Sequence, residues 1–175
     1  EQGFQVYEFC DGLEMPGRLE SVLEGASPDR PRFLLFHLMS PHGPFVFHEA
    51  TTPRHLEALG DDASGPYPPA LVFPYEGEVI TEPAKARLRA YYRGEVEYVV
   101  GIVGQILDQL ETEQRDRPTW VFLTADHGEE FWDHGGFFHG RTLYEELIAV
   151  PLLVRPPTGA PEGAAVGDRW EPVTT

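Results

Sequence analysis

The chain has 175 residues and a formal net charge of −16, enough length for one domain core and the wrong sign for a nonspecific grip on nucleic acid or an anionic membrane surface. Its 41% hydrophobic content is that of a folded protein, and a lone cysteine, Cys10, excludes an internal disulfide. No apolar run reaches the length of a membrane span, and the opening EQGFQVYEF has neither Met nor a signal core, so the chain reads as part of a longer protein whose compartment stays open.

Residues 1–13 mix aromatics with acids without a sustained period, and Arg18–Leu23 predicts a short helix ahead of the break at Gly25 and Ser27-Pro28. Arg32–Leu38, RFLLFHL, is a continuous apolar run that predicts a buried strand emptying into Ser40-Pro41-His42-Gly43-Pro44-Phe45. His37, inside that run, reads as a core or supporting histidine, whereas His42 stands between two prolines in a stiff loop just past the strand. Residues 49–81, rich in Pro, Gly and Thr with HLEAL as the one helical hint, read as a long excursion of the kind that sets substrate access.

Lys85–Leu110 carries the strongest period: Leu88, Tyr92, Val96, Val99, Val103, Ile106 and Leu110 recur at steps of three and four, which predicts one long amphipathic helix ending near Glu113. A strand at 119–124 follows, then the polar cluster Asp126-His127-Gly128-Glu129-Glu130. His134 and His139 come next, with a short helix around Thr142–Leu147 and a strand at Val150–Val154. Residues 158–175 read as a Gly- and Pro-rich tail.

Strand, helix, strand in this order predicts a right-handed crossover with both strands parallel, which would bring His42 and the Asp126-His127 pair to one sheet edge. A carboxylate is a hard anionic donor and an imidazole suits zinc, manganese or iron, so the pair can hold one or two divalent cations, with His139 as a further candidate ligand and Ca, Mn or Zn as the ions expected in the whole site. Such an ion polarises an ester oxygen and activates a nucleophile, and His42 is placed to contact the substrate or protonate a leaving group. Glu129 and Glu130 are candidates for orienting an imidazole or for a solvated acidic turn. His134 is left open between ligand, surface residue and partner of an acid, and His48 has a weaker claim than any of these. Hydrolysis of a sulfate or phosphate ester is the chemistry that this set suits.

PHGPF at 41–45, YRGEVEYV at 92–99, FLTADHGEEFWDHG at 122–135 and HGRTLYEELIAVPLLVRPP at 139–157, in that order, resemble the carboxyl-side part of a sulfatase of the alkaline phosphatase superfamily. The resemblance implies an α/β fold with a central, mostly parallel sheet flanked by helices, here a single partial domain over residues 1–175. It implies a metal-dependent hydrolase of sulfate esters, acting on a small-molecule or carbohydrate ester, with phosphate mono- and diesters or phosphonate esters as the alternative. Asp126 and His127 fall on metal ligands and His42 on the substrate-contacting histidine. His139 falls near a position that different branches fill with a substrate-contacting Lys or a metal-binding His. The surroundings of Cys10 do not match the formylglycine signature, so a formylglycine or Ser/Thr nucleophile is expected outside this segment, and the segment alone is expected to turn over substrate poorly. Ser40, Arg93 and Val100 depart from the usual pattern, which motivates a second reading as a noncatalytic binding domain; a transferase of the same superfamily is a third.

Overall fold

A computed structural model describes residues 12–24, 30–61, 80–113, 117–157 and 159. The opening segment with Cys10, most of the excursion at 62–79 and the tail from 158, apart from 159, lie outside the described residues. The chain divides into two compact units, residues 1–113 and 114–175.

In the first unit a 3-10 turn at Gly12–Glu14 leads into α1 (Met15–Glu24), then come α2 (Thr52–Glu57) and the long α3 (Glu82–Glu113). The helix expected from the three-and-four period is thus present, extended at its amino end by a turn that carries Pro83, where a missing N–H costs nothing. Lys85 bonds Glu82 at 2.7 Å there and lowers the pKa of that carboxyl. Both shorter helices pack on α3, and the core is Leu19 and Leu23 of α1, Leu56 of α2, and Leu88, Tyr91, Ile102, Ile106 and Leu110 of α3.

The buried face of α3 keeps Leu88, Ile106 and Leu110 of the apolar period but is rotated from the rest of it toward Tyr91, Glu95 and Ile102. Tyr92, Val96, Val99 and Val103 are only half-buried, while Tyr91 and Glu95 are each 1% exposed. The reason lies in the 46–52 segment, which docks on α3 through polar contacts. Glu95 accepts the Val46 amide at 2.5 Å and stands 3.4 Å from His48 Nε2, and His48 stacks on Tyr98 with centroids 3.8 Å apart. The Thr51 hydroxyl donates to Gly94 O at 2.8 Å, and the His48 amide donates to Thr52 Oγ1 at 2.9 Å. Gly94 is required by proximity, since a Cβ there would stand 2.5 Å from Thr52 Oγ1 and 3.0 Å from its Cα. The two stretches PHGPFVFH and YRGEVEYV are thereby one packed unit.

Residues 31–39 run without a ladder, so the strand expected at Arg32–Leu38 is not formed among the described residues. Its apolar side chains are largely uncovered, with Phe33 76% and Leu35 64% exposed; a continuous apolar run becomes a strand only when neighbours supply the backbone partners.

In the second unit β1 (Val121–Thr124) pairs antiparallel with β4 (Leu152–Arg155), in the register Val121 with Arg155 and Thr124 with Leu152. A hairpin of β2 (Glu130–Phe131) and β3 (Phe137–Phe138) and the single turn α4 (Glu145–Ile148) lie between them. Both strands predicted around the histidine loop are therefore present, but every sheet among the described residues is an antiparallel pair. The parallel crossover predicted from 32–38 through the long helix to 119–124 is not formed among them. No helix among the described residues is long and apolar enough to cross a membrane.

Replacement of Gly94 by Ala should cost about 1–3 kcal/mol by overpacking, and Glu95→Ala about as much by leaving the Val46 amide without its acceptor. Urea unfolding followed by circular dichroism reads both losses; midpoints equal to wild type would contradict this account of the helix face.

Candidate metal and ester site

β1 ends at Thr124 and releases the chain into Ala125-Asp126-His127-Gly128. Gly128 then pins the loop, since its amide donates to Leu147 O at 2.8 Å, and a Cβ on it would meet Glu146 O at 2.0 Å. The glycine is needed because the loop lies directly on the backbone of α4. The hairpin turns at Trp132, whose φ is +66°, and Gly135, at +89°, and is filled by Trp132 stacked on Phe137 at 4.6 Å. β3 delivers Phe138 and then His139 back beside the loop.

Four polar side chains meet here. The His127 and His139 rings stand 4.0 Å apart, and Asp126 Oδ1 is 3.8 Å from His127 Nε2. Glu129, with its side chain 5% exposed, lies 3.1 Å from His139 Nδ1. His127 Nδ1 lies 2.7 Å from Gly128 O, an oxygen that can only accept, so the ring nitrogen there is the protonated one. The Glu129 carboxylate selects the same tautomer in His139. In both rings the lone pair is then carried by Nε2, the nitrogen a metal needs. Neutral imidazoles whose other nitrogen is held by a carboxylate or a carbonyl are the usual form of histidine ligands. The 3.8 Å between Asp126 Oδ1 and His127 Nε2 also suits two ligands each about 2.0–2.2 Å from one ion. The Asp126–His127 pair therefore has the spacing of two ligands to one divalent cation.

The structure thus gathers Asp126, His127 and His139 within the second unit and adds Glu129 as the residue that holds His139. Asp126, with 75% of its side chain exposed, is the most open of them. A tighter triad occurs elsewhere, at Glu130, His134 and Glu146, whose candidate ligand atoms all lie within 4.8 Å of one another. No sequence spacing singles out that triad, because its members come from β2, the hairpin turn and α4.

His42 belongs to the first unit. It is exposed on the loop between two cis X-Pro bonds, Ser40-Pro41 and Gly43-Pro44, with its amide donating to Met39 O at 2.7 Å. Its Nδ1 is 2.6 Å from Gly43 O, so Nε2 is again the nitrogen left for chemistry. His37 is exposed rather than buried in a core. His48 is the half-buried neighbour of Glu95 described above.

A profile of the sulfatase family matches residues 14–174. The chain belongs to the sulfatase family. Among curated proteins it is similar to the uncharacterized sulfatase YidJ of Escherichia coli K12, 35% identical over 63 residues, which are 36% of this chain and 12% of that protein. It also matches the choline-sulfatase of Rhizobium meliloti, 26% identical over 144 residues covering 75% of this chain and 28% of the relative. The multifunctional alkaline phosphatase superfamily protein PehA of Trinickia caryophylli is 25% identical over 174 residues, covering 85% and 33%. The chain spans a third or less of each of these relatives. No solved structure matches it significantly. Membership carries with it the α/β fold of the alkaline phosphatase superfamily.

Gly128→Ala should unseat the histidine loop from α4, with a loss of about 1–3 kcal/mol or more from overpacking against backbone that cannot step aside. Thermal unfolding and hydrogen exchange at the Gly128 amide position measure it. Wild-type stability and protection would refute the close packing.

Proposed function

We propose that this chain is the carboxyl-side part of a sulfatase-like metallohydrolase that cleaves sulfate esters of small molecules or carbohydrates, with phosphate mono- and diesters as neighbouring substrates. The observation that carries the reading is the spacing of Asp126 Oδ1 and His127 Nε2, 3.8 Å apart, with the His139 ring 4.0 Å from that of His127 and Glu129 beside His139, in a chain of the sulfatase family. The similarity to a choline-sulfatase and to a multifunctional superfamily protein supports sulfate esters first and related esters second.

In this reading Asp126 and His127 hold the divalent cation, Ca, Mn or Zn, and His139 either completes its ligand set or binds the ester. The bound ion supplies positive charge against the ester oxygens and lowers the pKa of the attacking group. Glu129 keeps the His139 lone pair at Nε2 and offsets charge placed on that ring. His42 is kept with Nδ1 on Gly43 O; once protonated, its Nε2 donates to a nonbridging oxygen or to the leaving group. The docking of residues 46–52 on Glu95 and Gly94 holds the loop that carries His42. The formylglycine or Ser/Thr nucleophile belongs to residues outside 1–175.

The complete protein, loaded in turn with Ca, Mn and Zn and assayed on a panel of aryl sulfates, phosphate monoesters and phosphate diesters, should hydrolyse at least one class. Asp126→Ala should abolish turnover, and His42→Gln should lower kcat by about 100-fold or more with a smaller effect on KM. Glu129→Ala should weaken metal binding by about 10- to 100-fold in calorimetric titration. Full wild-type turnover in Asp126→Ala would overturn the assignment.

A further inference from the structure

Glu130 is the least expected carboxylate in the second unit. It is 3% exposed, yet no Lys or Arg pairs with it among the described residues. Its Oε1 instead accepts the amides of Gly136 at 2.7 Å and His134 at 3.2 Å, which fixes the carboxylate within the hairpin. Gly136 makes room for it, since a Cβ at that position would lie 2.7 Å from Glu130 Oε2. An ionised carboxylate so buried is costly without a cation beside it. The groups that come close are two further metal-binding types. His134 lies in the hairpin turn with its ring stacked on Tyr144 at 3.7 Å, and Glu146 lies on α4 with Oε1 2.6 Å from His134 Nδ1.

We propose that Glu130, His134 and Glu146 form a second divalent-cation site, distinct from the one at Asp126 and His127, which ties the β2–β3 hairpin to α4. Their candidate ligand atoms all lie within 4.8 Å of one another. An ion about 2.0–2.2 Å from each ligand needs them roughly 3–4 Å apart, so rotamer adjustment closes the site without backbone movement. Two carboxylates and one imidazole favour zinc or manganese over calcium, whose sites are built from oxygen alone. Glu130, held by two amides and buried, is the preformed member, and Glu146 is the mobile one. It leaves its hydrogen bond with His134 as the ion takes the place of the shared proton. Three protein ligands leave further positions to water, and bound metal then adds its binding free energy to the stability of the hairpin. The site is independent of the hydrolase reading, since it uses none of the residues assigned to ester chemistry.

The competing description is a simple proton-linked pair of His134 and Glu146 with no affinity for metal, and stoichiometry decides between them. The complete protein is stripped with chelator and titrated with Zn(II) and Mn(II), with the Mn(II) followed by electron paramagnetic resonance. Glu146→Gln and His134→Gln should each lose about one molar equivalent of bound metal, together with the Zn(II)-induced rise in melting temperature, and should keep the equivalent that Asp126→Asn removes. Asp126→Asn should keep the rise. Stripped variants that melt like stripped wild type establish that the substitutions leave the fold intact, and His134→Gln serves where Glu146→Gln does not. Stoichiometry equal to wild type in both variants would overturn the second site while leaving the Asp126 site standing. Loss of metal in Asp126→Asn alone would overturn it equally.

Discussion

The histidine loop depends on the bond between Glu129 and His139. A carboxylate 5% exposed, held 3.1 Å from an imidazole nitrogen, sets which nitrogen of that ring carries the proton, and so which one can meet a metal or a substrate. It also joins the two sides of the hairpin, because Glu129 precedes β2 and His139 follows β3. The backbone around it is arranged to the same end: Gly128 rests on α4, and Trp132 and Gly135 adopt left-handed turns that bring His139 back beside His127. The roles of the remaining polar groups follow from their distance to this pair.

The first unit solves a different problem with the same means. The loop from His42 to His48 anchors on α3 through the rings of Phe45 and Phe47 against Tyr92 and Tyr91, and buried polar contacts to the same helix fix it further. Glu95, 1% exposed, takes the Val46 amide and faces His48, while Gly94 admits Thr52 at a distance no other residue allows. Polar contacts of this kind are directional, so they fix a loop more narrowly than apolar packing of equal area. The substrate contact proposed for His42 would benefit from that stiffness.

Much of this is legible in the sequence, and the limits have identifiable causes. The period from Leu88 to Leu110 located α3, because three-and-four spacing sustained over that length has no other solution; it placed Leu88, Ile106 and Leu110 in the core and left out Gly94 and Glu95, which do not count as apolar. The runs at 121–124 and 152–155 were legible as strands, but apolar content carries no information about the direction of a neighbour, and the antiparallel pairing follows from the hairpin and short helix that connect them. The run at 33–38 has the same composition and makes no ladder among the described residues. Asp126, His127 and His139 were singled out by residue type and loop position, and the sequence weighed Glu129 for orienting an imidazole, where the structure sets it 3.1 Å from His139. Glu130, His134 and Glu146 were not grouped, since residues brought together by a turn and a distant helix leave no spacing to recognise.

Everything proposed for the ester chemistry requires one cation held by Asp126 and His127 with His42 within reach of its substrate. Crystals of the complete protein grown with Zn(II) or Mn(II), measured at the absorption edge of the metal, test it most directly. The expected result is an anomalous peak about 2.0–2.3 Å from Asp126 Oδ1 and His127 Nε2. Asp126 and His127 linked only to each other with no peak between them, or His42 on the far side of the molecule, would contradict it.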